Sequence, residues 1–212
     1  MFDIIIVDTG GYSFGEVERY AVYLSAYRRG RLGRKKSDTD KLLSLTAGLL
    51  TGLEISRRTG IPQNKLTYRH GSFGKPYIIG SELQFSVSHT PGAVCVAFSD
   101  GGEIGADIEK KDRRVSRRLY DRVLSDSEKP LVKSGEDFVR LWVQKEAFLK
   151  RLGTGIAGSL QGADTTLLRD TAVFECGEYL VGASGKGVGS AEMRRIALRE
   201  LLAEYDELSL TV

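Results

Sequence analysis

The chain is poor in the residues that staple a fold or ligate a soft metal. It has two cysteines, Cys95 and Cys176, and two histidines, His70 and His89, among 212 residues. Neither cysteine has a Cys or His at metal-ligand spacing, and two histidines exclude a His-rich centre. Both cysteines sit in β-like apolar contexts and read as buried free thiols of a reducing cytoplasm. No apolar run approaches the ~18 residues of a membrane span, so no membrane partner is expected. Phe2–Val7 is a short apolar run that carries Asp3 and is preceded by no basic residue, so it is too short and wrongly flanked for a signal peptide; it reads as a first strand. Net charge is only +3, and aromatics do not interleave with the basic runs, which argues against a nucleic-acid partner.

Charge is present in an uneven pattern. Arg28, Arg29, Arg31, Arg34, Lys35 and Lys36 form one basic run. Lys110, Lys111, Arg113, Arg114, Arg117, Arg118 and Arg122 form another. Such runs are most often solvated helix faces, and they also suit anionic partners.

The periodicity predicts helices over Gly15–Arg29, from Ser37 or Asp38 to Gly60, over Val115–Leu124, and from Asp137 to Leu152. Strands are predicted at Leu66–Tyr68, Phe85–Ser88, Ala93–Ser99 and Glu103–Glu109, and the stretch from Gly162 to Val181 is β-like. Gly182–Ser190 reads as a loop. Ala191–Asp206 is rich in helix formers, and Glu207–Val212 alternates like a strand.

Two glycine-rich segments mimic nucleotide motifs. Gly153-Thr154-Gly155-Ile156-Ala157-Gly158 has G-x-G-x-x-G spacing but follows a helix rather than a strand. Gly182–Gly187 lacks the hydroxyl that must follow the lysine of a phosphate loop. Both are rejected.

The chemistry lies in two other segments. In Gly105-Ala106-Asp107-Ile108-Glu109, read as a strand, both carboxylates face one side. In Trp142–Lys150, read as a helix, Trp142, Glu146 and Lys150 lie four apart on one stripe. Each segment alone reads as an ordinary ion pair. Together they offer three carboxylates and a lysine, a donor set for a hard divalent cation held against a diphosphate. Ser88-His89 and Gly74-Lys75-Pro76 lie where they could add a hydroxyl, an imidazole, a backbone edge and a cation.

Five segments in order resemble the 4′-phosphopantetheinyl transferases of the larger, surfactin-synthetase-activating type. They are the N-terminal basic cluster leading into Asp38-Thr39-Asp40-Lys41, then Gly74-Lys75-Pro76-Tyr77, then Phe85–His89, then Gly105–Glu109, then Trp142–Lys150. The resemblance implies an α+β fold of two similar halves, residues 1–102 and 103–212, related by a pseudo-twofold with the active site between them. It implies transfer of the phosphopantetheine arm of coenzyme A to a serine of an acyl or peptidyl carrier protein. The alternative is a coenzyme A or nucleotide-binding module without transferase activity. Carried over by motif, Asp107, Glu109 and Glu146 would ligate Mg²⁺, with Mn²⁺ as a substitute, and Lys150 would contact the diphosphate. Lys75 and Pro76 would lie near the adenine, and Arg28, Arg31, Lys41, Ser88 and His89 around the phosphates. Glu146 is the expected general base, with Glu128 in reserve. A monomer is expected, since the two halves would supply the whole site.

Overall fold

The computed structural model describes residues 1–155 and 159–210. Its elements run β1 (Phe2–Asp8), α1 (Phe14–Val17), α2 (Ala26–Gly33), α3 (Asp38–Thr59), β2 (Tyr68–His70), β3 (Pro76–Ile78), β4 (Gln84–Thr90) and β5 (Ala93–Ser99). They continue β6 (Gly105–Lys110), α4 (Arg117–Val123), α5 (Gly135–Leu152), β7 (Thr171–Cys176), β8 (Tyr179–Ser184), β9 (Glu192–Ala197) and α6 (Leu198–Leu210). The mixed α and β content agrees with the expected class.

Strands β4-β5-β1-β9 form one sheet and β6-β8-β7 a second, while β2 and β3 make a separate hairpin. Ile5, Val7, Val94 and Val96 pack with Leu45, Leu49 and Ile55 of α3 and with Leu201 and Tyr205 of α6. Ile4, Ile6, Cys95 and Ala97 turn the other way, onto Ala106, Ile108, Val181 and Ala183 of the second sheet. Val143 and Leu149 of α5 pack with Leu180 and Val123 on that sheet's far side. The layers are therefore helix, sheet, sheet, helix. Strands buried on both faces are apolar throughout rather than alternating, which is the pattern of β1 and β5.

Helix α3 is capped by Ser37, whose side chain accepts from the Asp40 amide, and ends at Gly60 with φ 71°. Helix α5 has a capping box of Ser134 and Asp137 and ends at Gly153 with φ 67°. The predicted helix over Gly15–Arg29 is broken: a 3-10 turn spans Glu18–Tyr23, and Ser25 caps a new helix by accepting from the Arg28 amide.

Three expectations at the C-terminal end are corrected. Residues 182–184 are strand rather than loop, because β8 continues opposite β6 with Gly182 paired to Asp107. Glu192–Ala197 has helix-forming residues but pairs parallel with β1 from Asp3 to Asp8. Its arginines find acids in that register: Arg194 donates to the buried Glu54 at 2.7 Å, and Arg195 pairs with the more exposed Asp8 and Glu178. Residues 207–210 are helical, not a strand, since Leu201, Leu202 and Tyr205 already commit α6 to the α3 face. Thr211 and Val212 lie outside the described residues, as do Ile156–Gly158 of the rejected glycine motif.

Candidate active site

Asp107 and Glu109 project from the same face of β6, as their spacing predicts, while Ala106 and Ile108 enter the core between the sheets. Helix α5 lies directly on the carboxylate face. A Cβ on Gly105 would strike the carbonyl of Ala147, and one on Gly182 would strike the carbonyl of Val143. Only glycine at these points allows backbone-to-backbone approach, and that approach brings Glu146 to Asp107.

Strand β4 runs beside β6 and presents three hydroxyls to it. The Ala106 amide donates to Ser86 Oγ at 3.0 Å, Ser88 Oγ donates to Asp107 Oδ1 at 2.7 Å, and Thr90 Oγ1 donates to Glu109 Oε2 at 3.0 Å. Lys150 Nζ donates to both Asp107 Oδ1 at 2.7 Å and Ser88 Oγ at 2.8 Å. Arg113 forms an ion pair with Glu109 Oε1. Asp107 and Glu146 are almost fully buried, and each keeps one buried oxygen, Oδ2 and Oε1, without a hydrogen-bond partner.

Two buried oxygens without donors beside a third carboxylate make this the most strongly desolvated acidic cluster bordering the cleft. The carboxyls of Glu109 and Glu146 are both pushed above the usual range. Burial is the main cause for each; the Asp107 charge adds to it, while Lys150 and Arg113 oppose it. Among the described residues the acids do not form a ready-made coordination cluster. As placed, they are balanced by Lys150 and Arg113 instead. The hard oxygen donors nevertheless fit a divalent ion such as Mg²⁺.

A cleft of about 230 Å³ opens on the neighbouring side, lined by Arg28, Arg31, Lys35, Gly74, Pro76 and His89. Arg28 has a guanidinium pKa below its ordinary value, burial being the main cause. His89 is likewise lowered, by burial first and then by Lys35 and Lys150. Gly74, at φ 85°, closes the β2–β3 turn.

Not every expected residue converges there. Lys75 is turned away, pairing with Glu103 and donating to the Arg151 carbonyl at 2.9 Å. Lys41 pairs with Asp38 at 3.2 Å and lies over the Phe14 ring. Ser88 is built into the carboxylate cluster rather than the cleft. Glu128 is fully buried in a closed network. One oxygen accepts from the Thr165 amide and hydroxyl, each at 2.7 Å, and the other from the Ser125 amide at 2.8 Å and Lys145 at 2.5 Å. Burial raises its pKa, but those donors outweigh it and hold the carboxyl below the usual range. With every acceptor position filled, Glu128 is tied into the fold as a structural anchor.

Sequence reasoning missed Thr90 and singled out Arg113 only as part of a charge run. The signal for Thr90 was the period-two hydroxyl pattern Ser86-Ser88-Thr90, which marks a polar edge facing β6.

Residues 103–179 match the family model described as the 4′-phosphopantetheinyl transferase superfamily. The chain is 32% identical over 139 residues to the 4′-phosphopantetheinyl transferase AcpT of Salmonella typhi, covering 61% of this chain and 70% of that one. It is 29% identical over 165 residues to the 4′-phosphopantetheinyl transferase Sfp of Bacillus subtilis, covering 74% and 73%. A third relative, the L-aminoadipate-semialdehyde dehydrogenase-phosphopantetheinyl transferase of Saccharomyces cerevisiae, is 30% identical over 150 residues, 64% of this chain and 55% of that one. The alignments therefore span part of each relative's length, 61% for one from Synechocystis sp..

Proposed function

Because this chain belongs to the 4′-phosphopantetheinyl transferase superfamily, we propose that it transfers the 4′-phosphopantetheine arm of coenzyme A to a serine of an acyl or peptidyl carrier protein. The observation that carries the reading is the meeting of Asp107, Glu109 and Glu146 with Lys150, two of the acids keeping an unpartnered buried oxygen.

Asp107, Glu109 and Glu146 are the residues to hold Mg²⁺ or Mn²⁺. Such an ion supplies Lewis-acid stabilisation of the diphosphate charge. Arg28, Arg31, Pro76 and His89 line one cleft; the three basic side chains would receive the phosphates of the nucleotide end, and Pro76 would lie near the adenine. Lys75 and Lys41 join that side only by leaving their present partners. Lys150, which here donates to Asp107 and Ser88, would be the residue to contact the diphosphate. Glu146, buried beside Asp107 on the face of α5 that meets β6, is the group that accepts the serine proton directly or through a water. The serine Oγ–P bond forms as the diphosphate P–O bond breaks, and the electron pair leaves with adenosine 3′,5′-bisphosphate. The residues' task is positioning and charge neutralisation.

The halves 1–102 and 103–212 are proposed as pseudo-twofold counterparts, each a sheet with one long helix, α3 or α5, on its outer face. In this reading β9 and α6 return to the first sheet. A monomer suits a site built within one chain. Two unpaired buried thiols suit a reducing, cytoplasmic setting. No helix among the described residues is long and apolar enough to cross a membrane.

The test combines purified protein, coenzyme A, Mg²⁺ and an apo carrier protein, with carrier mass followed. A gain of one phosphopantetheine, lost with EDTA and in Glu109→Ala, supports the proposal. No gain with several different carriers leaves coenzyme A binding alone.

A further inference from the structure

The three proposed cation ligands are not in the same condition. Asp107 and Glu146 each keep a buried oxygen without a partner, whereas Glu109 has neither oxygen free of one. Its Oε2 accepts from Thr90, and its Oε1 is taken by Arg113, four residues further on. Arg113 is held in turn. Its amide donates to the Lys110 carbonyl at 3.1 Å, closing the turn after β6, and its guanidinium lies 4.5 Å from the ring centroid of Trp142. Trp142 stands one turn before Glu146 on α5, so the guanidinium spans the mouth of the carboxylate cluster from the strand side to the helix side.

A guanidinium and a divalent ion cannot both sit on one carboxylate oxygen without strong repulsion. A thiol or hydroxyl in that place would not conflict; a fixed positive charge does. We propose that Arg113 is a positioning residue that acts through Glu109. It occupies the third ligand while the cation is absent, keeping the buried acids charge-balanced, and it is displaced from Glu109 and from the Trp142 face when the cation enters. The inference rests on the reading that Asp107, Glu109 and Glu146 hold the cation. It adds that this chain carries its own competitor for the site.

Trp142 is the only tryptophan in the sequence, which makes it a reporter of the stacked guanidinium. Arg113 is partly exposed, and Arg113→Met keeps an unbranched stem beside the indole, so the fold should survive. The intact protein is titrated in the presence of coenzyme A, with Mn²⁺ binding read by loss of the free-ion electron paramagnetic resonance signal. Mg²⁺, which does not quench, is titrated separately with tryptophan fluorescence as the readout. The expected result has two parts. Arg113→Met binds Mn²⁺ several-fold more tightly than the wild type, and Mg²⁺ changes Trp142 emission in the wild type but not in the variant. An unchanged Mn²⁺ affinity in the variant, or the same emission change in both proteins, overturns the role of Arg113 while leaving the cation site standing. Tighter Mn²⁺ binding with no emission change in the wild type also overturns it, because simple charge repulsion then suffices. Mn²⁺ binding that is equal in the wild type and Asp107→Asn instead removes the cation site, and the inference with it.

Discussion

Gly182 of β8 lies directly beneath the Val143 carbonyl of α5: a Cβ there would overlap that carbonyl and stand 2.9 Å from the Gln144 amide nitrogen. Gly182 is also the register partner of Asp107. The same close approach thus seats the helix and sets Glu146 beside the strand that carries Asp107. Gly182→Ala should lift α5 and cost ~1–3 kcal/mol of stability, the range for overpacking. Denaturant unfolding measures that loss, and carrier modification should fall with it. Unfolding unchanged from the wild type would mean that α5 is not seated by this contact.

Glu146 is buried beside Asp107, and burial first, then the Asp107 charge, raises its carboxyl pKa, so ionising it in the folded protein costs stability. Without a divalent ion, Glu146→Gln should be more stable than the wild type at neutral pH by about 1 kcal/mol, or ~2–4 °C in Tm for a chain this long, while carrier modification is lost. The sign with pH follows. The folded-state pKa lies above the ordinary 4.5, so the folded protein binds this proton more tightly than the unfolded chain. The contribution is favourable below 4.5 and is lost as pH rises through the raised folded value. The advantage of Glu146→Gln should therefore grow across that interval and level off above it. An advantage that grew on acidification would contradict the assignment.

Lys145 is fully buried, donating to the Val123 and Leu160 carbonyls at 2.7 and 2.8 Å besides pairing with Glu128. Lys145→Met leaves a buried carboxylate unpaired and should cost about 3–5 kcal/mol. Adding Glu128→Gln removes the orphaned charge and should recover part of that. Denaturation of the single and double variants decides it, and a single variant as stable as the wild type would deny the pair its anchoring role.

The basic run after β6 continues onto α4, where Arg117 and Arg118 are exposed. An acidic carrier protein would meet this face if the proposed reaction is right. Charge reversal at Arg117 and Arg118 should raise the apparent KM for the carrier several-fold and leave coenzyme A affinity unchanged. Loss of coenzyme A binding in that variant would place the patch in the nucleotide site instead.

The site was legible in short-range pattern because its chemistry is local to two elements. Asp107 and Glu109 share a face at any strand register, and Trp142, Glu146 and Lys150 share a stripe on any α-helix. What faced them was not legible. Thr90 reaches Glu109 only because β4 runs beside β6, and Lys75 and Lys41 bond to neighbours that no spacing rule selects.

The sequence by itself determined the caps of α3, the apolar strands β1 and β5, and which carboxylates point the same way. These depend on hydrogen bonds and side-chain periodicity within a few residues. Only the tertiary structure decided that Glu192–Ala197 is a strand, that residues 207–210 are helical, and that Gly182 is strand and not loop. There, pairing with β1, burial of Leu201 and Tyr205 against α3, and contact with the α5 backbone outweigh local propensity. It also decided the state of each carboxylate: Glu128 saturated, Glu109 held by Arg113, and Asp107 and Glu146 each left with one buried oxygen without a hydrogen-bond partner.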